Sequence, residues 1–273
     1  MGAGAFNHGQ SNDQSTSLEE NGSVIVKEKA MDILIKDLPD HESYLVRELN
    51  RLKDSSQEAI ENVSQFSTFK DYLHVEREIQ KDLEEILKGK SQQQGNLILL
   101  CGSVGDGKSH LLAYLKEKKP ELISHYKIFN DATESFSPHK NAMETLEEIL
   151  QDFSDQKIDS STDQVILAIN MGVLHNFIHT NHKEFTYSRL KQFVEQSNLF
   201  SQNVTTRYSE DFFDLLSFAD YHSFELTEDG PTSSFYSGLM EKVCNESNQN
   251  PFYLALLEDE KRNMNTIVHQ NFK

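Results

Sequence analysis

Eight consecutive residues have the types and the spacing needed to hold the phosphates of a nucleotide. Residues 102–109 read GSVGDGKS and match the phosphate-binding loop pattern G-x-x-x-x-G-K-[ST] at every fixed position. In such a loop the glycines let backbone N–H groups turn inward around phosphate oxygens, where side chains would block the approach. The lysine reaches the β- and γ-phosphates, and the serine hydroxyl binds Mg²⁺. We therefore expect Lys108 to contact ATP and Ser109 to contact Mg²⁺.

The residues on both sides of the loop are those that such a site requires. Residues 97–101, LILLC, form a continuous apolar run that is typical of a strand buried on both faces of a parallel sheet. After the loop, leucines recur at helical spacing, and a helix N-terminus there presents unpaired N–H groups that favour an anion. The predicted nucleotide contacts are Gly102, Ser103, Val104, Gly105, Asp106, Gly107, Lys108, Ser109 and His110.

A P-loop ATPase also needs a carboxylate near Mg²⁺, and ligands in open α/β sheets bind at the carboxyl ends of the strands. The strand predicted at 165–170 ends in Asn170, where such enzymes usually have an aspartate, and an amide cannot act as a general base. The strand predicted at 126–130 is followed by Asp131 and Glu134. We expect Asp131 to bind the metal, and we place Lys108, Asp131, Glu134 and Asn170 in the catalytic set.

Alternatives to these assignments stay open. A turn or capping role is as plausible for Asp131 as a metal-binding one. Asp220 is a further candidate acid, and hydrolysis that is slow or absent would also agree with Asn170. Residues 72–77 are candidates for contacts with the base, although a helix packed on the sheet is the commoner role. Arg207, predicted to lie in a loop, is a candidate sensor of the γ-phosphate, although a solvated arginine is commoner.

The elements that must position these residues alternate between strands and helices along the chain. This order predicts an α/β fold: a P-loop NTPase of the AAA-like (ASCE) class, a three-layer sandwich with a mainly parallel sheet, N-terminal helices and a small C-terminal helical part. We expect a disordered leader at 1–23, a helical segment at 24–94 and the NTPase core at 95–230. The helices at 231–273 would form an incomplete lid, as in a fragment or a part that meets a partner.

Composition limits the partners of the chain. Its 44 acidic and 26 basic residues give a net charge of −18, which argues against the chain wrapping DNA by itself, because that affinity comes from clustered lysine and arginine. Contact with DNA through a basic partner subunit stays compatible with this charge. The sequence has no apolar stretch near the ~20 residues that a membrane helix needs, no secretory signal, and two cysteines without a disulfide framework. We expect a cytoplasmic protein without membrane contact.

Six segments carry a more specific pattern than the phosphate loop alone. They read DYLHVEREIQKDLEEIL, LLCGSVGDGKSHLLAYLK, NDATESF, VILAINMGVL, LLSFADYHSFELT and NPFY, and they span roughly residues 45 to 260. Together they resemble the F subunit (DptF) of DNA phosphorothioation-dependent restriction systems. The resemblance implies the N-terminal ATPase portion of a longer protein, acting with sister subunits in a bacterial defence complex that cuts DNA lacking the phosphorothioate mark. It also implies that Asn170 is a feature of the family.

The expected function is therefore an ATP-binding, ATP-hydrolysing subunit of a restriction complex that reaches DNA through its partners, with oligomerisation left open. A nucleotide-binding scaffold without hydrolysis is one alternative, and Asn170 favours it. A AAA-like signalling or replication ATPase would share almost the whole architecture. A small-molecule kinase is disfavoured, because it needs a lid with several arginines and the sequence has no arginine-dense segment.

Overall fold

A sheet of five strands surrounds the strand that leads to the phosphate loop. The computed structural model describes residues 38–61, 68–90, 94–130, 142–201, 205–221 and 224–273. The strands of this sheet are β1 (Asn96–Cys101), β2 (Lys127–Asn130), β3 (Gln164–Ile169), β4 (Arg207–Ser209) and β5 (Phe213–Ser217). Their order is β2-β3-β1-β5-β4. Strand β4 runs antiparallel to β5, and the other neighbouring pairs are parallel.

The register brings the carboxyl ends of the central strands to one edge of the sheet. Cys101 at the end of β1 lies opposite Ile169 of β3 on one side and Ser217 of β5 on the other. The end of β2 is close to the same edge, since Asn130 pairs with Ala168. Whatever follows these strands is therefore brought together, which is the usual position of a ligand site in an open α/β sheet.

Eleven α-helices occur in the described part of the chain. Their bounds are α1 Tyr44–Glu61, α2 Thr68–Leu73, α3 Glu78–Gly89, α4 Lys108–Lys118, α5 Pro120–Ile123, α6 Ala142–Leu150, α7 Met171–His179, α8 Ser188–Gln196, α9 Ser234–Cys244, α10 Pro251–Lys261 and α11 Ile267–Phe272. Short 3₁₀ turns occupy Gln151–Phe153, Ile158–Ser160 and Phe218–Asp220, and β6 (Glu225–Thr227) pairs with β7 (Gly230–Thr232) in a separate hairpin.

Strand β1 is buried along its whole length because both faces of the sheet are covered. Leu97, Leu99 and Cys101 belong to one apolar cluster, which includes side chains of α6, α7 and α8. Ile98 and Leu100 belong to a second cluster with side chains of α3 and α4. Alternate residues of one strand thus serve both faces, and the arrangement agrees with the predicted α/β sandwich and mainly parallel sheet.

Contacts divide the chain into two units, residues 55–239 and residues 1–54 with 240–273. The sheet belongs to the first unit. In the second, the buried carboxylate of Asp259 accepts hydrogen bonds from the Ser43 hydroxyl at 2.6 Å and from the backbone N–H groups of Tyr44 and Leu45 at 2.9 and 3.0 Å. Its Oδ2 also lies 3.0 Å from Nε2 of His269. Asp259 therefore caps α1 from a position more than 200 residues away in sequence.

Several local predictions differ from the structure. Residues 74–77, for which the commoner role was a helix packed on the sheet, separate α2 from α3 instead. Arg207 lies in β4, not in a loop. The predicted leader at 1–23 lies outside the described residues, and the division at 94 and 230 stays a prediction. No helix in the described ranges combines the length and apolar character that crossing a membrane requires.

Candidate functional site

The loop between β1 and α4 has a backbone that requires glycine. Gly105 and Gly107 have φ angles of 90° and 99°, which side chains with a Cβ rarely adopt. Gly102 is required for a different reason. A Cβ placed on it would lie 2.7 Å from Oδ2 of Asp106 and 3.0 Å from Cβ of Phe218. The three glycines of the motif therefore serve the wrapped shape that the sequence predicts.

The charged side chains of the motif hold the loop together. Nζ of Lys108 donates to the carbonyl oxygens of Gly102 at 3.0 Å and of Ser103 at 2.7 Å. The backbone N–H of Ser103 donates to the carboxylate of Asp106. Lys108 is also the first residue of α4, so its ammonium group and the helix N-terminus place positive charge at the same point. The side chain of Val104 is 83% exposed, so this residue offers the site only its backbone.

The hydroxyl of Ser109 forms a hydrogen bond with the residue that ends β2. Its Oγ donates to Oδ1 of Asn130 at 3.0 Å, which brings the last residue of β2 to the first turn of α4. Hydroxyl and amide oxygens are among the hard ligands that suit Mg²⁺. Asn130 was missing from the predicted site, although its place directly before Asp131 was a usable signal. Asp131 and Glu134 lie outside the described residues.

Asn170 lies at the same edge of the sheet but is used locally. The backbone N–H of Gly102 donates to the carbonyl of Ile169 at 3.2 Å, so the end of β3 adjoins the start of the loop. Oδ1 of Asn170 accepts from the backbone N–H of Gly172 at 2.8 Å and caps α7. An N-cap asparagine satisfies an N–H group that the helix leaves unpaired. The structure thus places Asn170 beside the loop, with its side-chain amide oxygen already accepting a hydrogen bond from the backbone.

Two other candidates stand apart from this group. Arg207 donates to Oε2 of Glu85 at 2.9 Å and lies 3.5 Å from Oδ1 of Asp82, both on α3. Its guanidinium is therefore neutralised by acidic side chains. The side chain of Asp220 lies outside the described residues. In the ranges that are described, no group of three or more His, Cys, Asp or Glu side chains is arranged to hold a metal ion.

A cavity of about 350 Å³ opens beside the phosphate loop. Gly105, Asp106 and Gly107 contribute to its lining, together with residues of α3, α4, the turn after β5 and the start of α9. The segment predicted to contact the base contributes Leu73, His74, Val75 and Arg77 to this lining, whereas Tyr72 is outside it. The structure therefore brings most of that segment to the loop.

Arg77 connects the cavity wall to the loop. Its Nη1 donates to the backbone carbonyl of Asp106 at 2.7 Å. The guanidinium carbon lies 5.1 Å from the ring centroids of both Phe218 and Phe235, which is within cation–π range. Burial lowers the pKa of Arg77, although an arginine remains protonated in a protein. Sequence reasoning named Arg77 only as a possible base contact, because its partners lie far along the chain.

His110, the last predicted nucleotide contact, belongs to an aromatic group at the edge of the cavity. Its Nε2 lies 3.0 Å from Nδ1 of His74, whose ring stacks on Tyr114 at 3.6 Å between centroids. Burial lowers the pKa of His110 to about 4, and the nearby positive charges act in the same direction. The imidazole of His110 is therefore neutral at pH 7, and one histidine nitrogen donates to the other.

Comparison of the chain with models of known protein families, with curated proteins and with solved structures found no match. The interpretation of the site therefore depends on its own geometry.

Proposed function

We propose that this chain binds ATP with Mg²⁺ and hydrolyses it, as the ATPase subunit of a DNA phosphorothioation-dependent restriction complex. One observation carries the nucleotide part. A glycine loop with two left-handed residues, the Lys108 ammonium and the Ser109–Asn130 pair meet at the carboxyl edge of a mainly parallel sheet. That edge is where α/β proteins bind phosphates.

The residues at this edge suit the phosphates of ATP and the Mg²⁺ ion. The backbone N–H groups of the loop and Lys108 would hold the phosphates, while Ser109 and Asn130 would lie beside Mg²⁺. ATP supplies a transferable γ-phosphoryl group, and Mg²⁺ reduces its negative charge. Lys108 already donates to the carbonyls of Gly102 and Ser103. Phosphate binding would therefore exchange hydrogen bonds to neutral backbone carbonyls for hydrogen bonds to phosphate oxygens, in which both the donor and the acceptor are charged.

The biological setting is proposed from the six segments that resemble the restriction subunit. Sister subunits of that complex would be the partners of this chain. The net charge of −18 supports an indirect role toward DNA, because a chain this acidic repels phosphate backbones except where a basic partner intervenes. Addition of DNA alone is expected to leave nucleotide turnover unchanged.

A scaffold that binds ATP without hydrolysing it is a second candidate. It is favoured by Asn130, which ends β2, and by Asn170, which follows β3, because neither amide can act as a general base. Oδ1 of Asn170 is also already used as a helix cap. In the scaffold, the nucleotide would order the loop and α4 without being consumed.

Separate measurements of binding and turnover test both candidates. We would measure the Kd of ATP by calorimetry and phosphate release at steady state, for the chain and for Lys108→Ala. The matched control is Lys116→Ala, which removes the same charge from an exposed position of α4. Lys108→Ala should weaken binding at least about tenfold and Lys116→Ala should not. If Lys108→Ala binds ATP normally, the proposed nucleotide site is wrong. If the unaltered chain binds ATP tightly but releases no phosphate, the scaffold is favoured.

A further inference from the structure

Gln80, one of the residues that line the cavity beside the loop, has a buried polar atom without a partner in the described part of the chain. It lies on α3, lines the cavity and is only 1% exposed. Its Nε2 donates to Oε1 of Glu84 at 3.0 Å. Its Oε1 is buried and has no hydrogen-bond partner among the residues that the structure describes. A buried carbonyl oxygen without a donor is costly, and such atoms in native proteins usually have a reason.

The orientation of the Gln80 amide is determined by its neighbours. Glu84 interacts with Lys119 at 2.5 Å and with Lys88 at 3.7 Å. Burial alone would raise the pKa of Glu84, but the hydrogen bonds from Lys119 and Gln80 outweigh it and lower the pKa below its usual value. An ionised carboxylate only accepts hydrogen bonds. Gln80 must therefore turn its NH₂ toward Glu84, and the amide oxygen is left as an acceptor on the other side of the amide.

The cavity is suited to the nucleoside of a bound nucleotide. Its volume of about 350 Å³ is within the range of small-molecule sites. Because Gly105 and Gly107 belong to the same lining as Gln80, a ligand with its phosphates on the loop extends its base into this space. Adenine carries an exocyclic amine at C6, whereas guanine and hypoxanthine carry a carbonyl oxygen there. An amine can donate to Oε1 of Gln80, and a carbonyl can only repel it.

We propose that Gln80 is a specificity-determining residue that selects adenine over 6-oxopurines by accepting a hydrogen bond from the exocyclic amine. The inference rests on the proposed nucleotide binding. Because Oε1 is itself buried, contact with the base requires a rotation of the terminal amide that is small enough to keep the hydrogen bond between Nε2 and Glu84. Lys119 and Glu84 act as positioning residues, because they prevent the amide from turning its NH₂ toward the base.

The test compares ATP with ITP, which differs from ATP by a carbonyl in place of the C6 amine and by the accompanying proton on N1. Calorimetry on the whole chain with Mg²⁺ gives both Kd values, first for the unaltered protein and then for Gln80→Leu. We expect the unaltered protein to bind ATP at least about tenfold tighter than ITP. The amine of ATP forms one buried hydrogen bond with Oε1 of Gln80, whereas the carbonyl of ITP leaves two acceptors facing each other. In Gln80→Leu the ratio should fall to near one, through loss of ATP affinity.

The ratio of the two Kd values separates specificity from a structural effect. A variant that only loosened α3 would weaken ATP and ITP equally, and that result overturns the inference. Equal Kd values in the unaltered protein overturn it too, yet they leave nucleotide binding standing if Lys108→Ala abolishes both. If neither ATP nor ITP binds, the proposed function falls along with the inference. Gln196→Leu, on an exposed position of α8, is the control and should change neither Kd.

Discussion

Ser109 and Asn130 are joined by a neutral hydrogen bond of 3.0 Å between the hydroxyl and the amide oxygen. This contact links the first turn of α4 to the last residue of β2. It directs the serine hydroxyl, the proposed Mg²⁺ ligand, toward a strand end that is followed by Asp131. The orientation of a metal ligand by a partner of this kind influences metal affinity strongly.

Asn130→Ala should therefore raise the Mg²⁺ concentration that nucleotide binding requires. We expect the Mg²⁺ concentration at half-maximal ATP binding to rise by about tenfold, because Ser109 loses the acceptor that orients it. A magnesium titration followed by calorimetry measures this. Asn181→Ala, at an exposed position, should bind as the unaltered chain does. An unchanged magnesium requirement in Asn130→Ala would mean that Asn130 has no part in the metal site.

Gly107→Ala should lower the free energy of unfolding. The φ of Gly107 is 99°, and a Cβ in that left-handed region costs about 1–2 kcal/mol. Urea unfolding of the two proteins measures the difference. Gly89→Ala is the matched control, because its new Cβ would meet nothing within 4 Å and its backbone is helical. There the substitution should be neutral or stabilise by up to about 1 kcal/mol.

Arg77→Ala should loosen the phosphate loop. It removes the hydrogen bond to the Asp106 carbonyl and the contacts with Phe218 and Phe235. These interactions together amount to about 2 kcal/mol, and we expect the Kd of ATP to rise by roughly tenfold or more. Arg77→Lys should restore little, because an ammonium lacks the planar fork that stacks and donates together.

Arg189→Ala provides the comparison for this prediction. Arg189 pairs with Asp159 at 2.7 Å and lies 4.9 Å from the ring centroid of Phe212, so it loses similar interactions away from the cavity. The Arg189→Ala variant should bind ATP with the same Kd as the unaltered protein. Equal losses of affinity in the two variants would show that Arg77 acts through general stability alone.

The unit around Asp259 should lose stability in acid. Burial would raise the pKa of this carboxyl, but hydrogen bonds from Ser43, Leu45, Tyr44 and His269 lower it below the usual value. A lowered pKa means that the contribution is complete above the pKa of the unfolded chain, about 3.9, and is lost as the pH falls through the folded value. Urea unfolding at stepped pH values between neutrality and pH 3 measures the loss.

Asp259→Asn separates this carboxylate from the others that titrate in acid. The amide keeps the shape but replaces two acceptor oxygens with one and adds a donor that faces Ser43 or His269. We expect a loss of about 1–3 kcal/mol at pH 7 and a shallower fall in stability below pH 4 than in the unaltered chain. An equally steep fall in both proteins would assign the acid response to other groups.

The parts of the fold that could be predicted are those encoded by neighbouring residues. The apolar run of β1, the glycines at 102, 105 and 107, and the leucines of α4 are all local signals, and the structure has the strand, the loop and the helix in that order. The strands predicted at 126–130 and 165–170 are present as β2 and β3, with bounds that differ by one residue. Parallel pairing then puts their ends at one edge, which is where the sequence places the proposed site.

The remaining features depend on residues far apart in sequence. Asn130 is 21 residues from Ser109, and Lys119 is 35 residues from the Glu84 that it holds. Asp259 caps a helix 215 residues upstream, which no local pattern announces. The break at 74–77 within one amphipathic run is another such case: apolar spacing continues across it, while Arg77 is turned toward the loop by Asp106. Tertiary contacts determine these hydrogen bonds and the helix break, and they cannot be predicted from the spacing of apolar residues.

The two thiols of the chain differ in a way that makes a chemical probe. Cys101 ends β1 with no exposed surface, and burial raises its pKa to about 12, whereas Cys244 is exposed. Only the thiolate reacts with alkylating agents, so a brief pulse of maleimide should modify Cys244 alone in the folded protein. Modification of Cys101 then reports each opening of the central strand directly before the phosphate loop. The rate of Cys101 modification, measured by mass spectrometry with and without a ligand, would give the frequency at which the central strand opens to solvent.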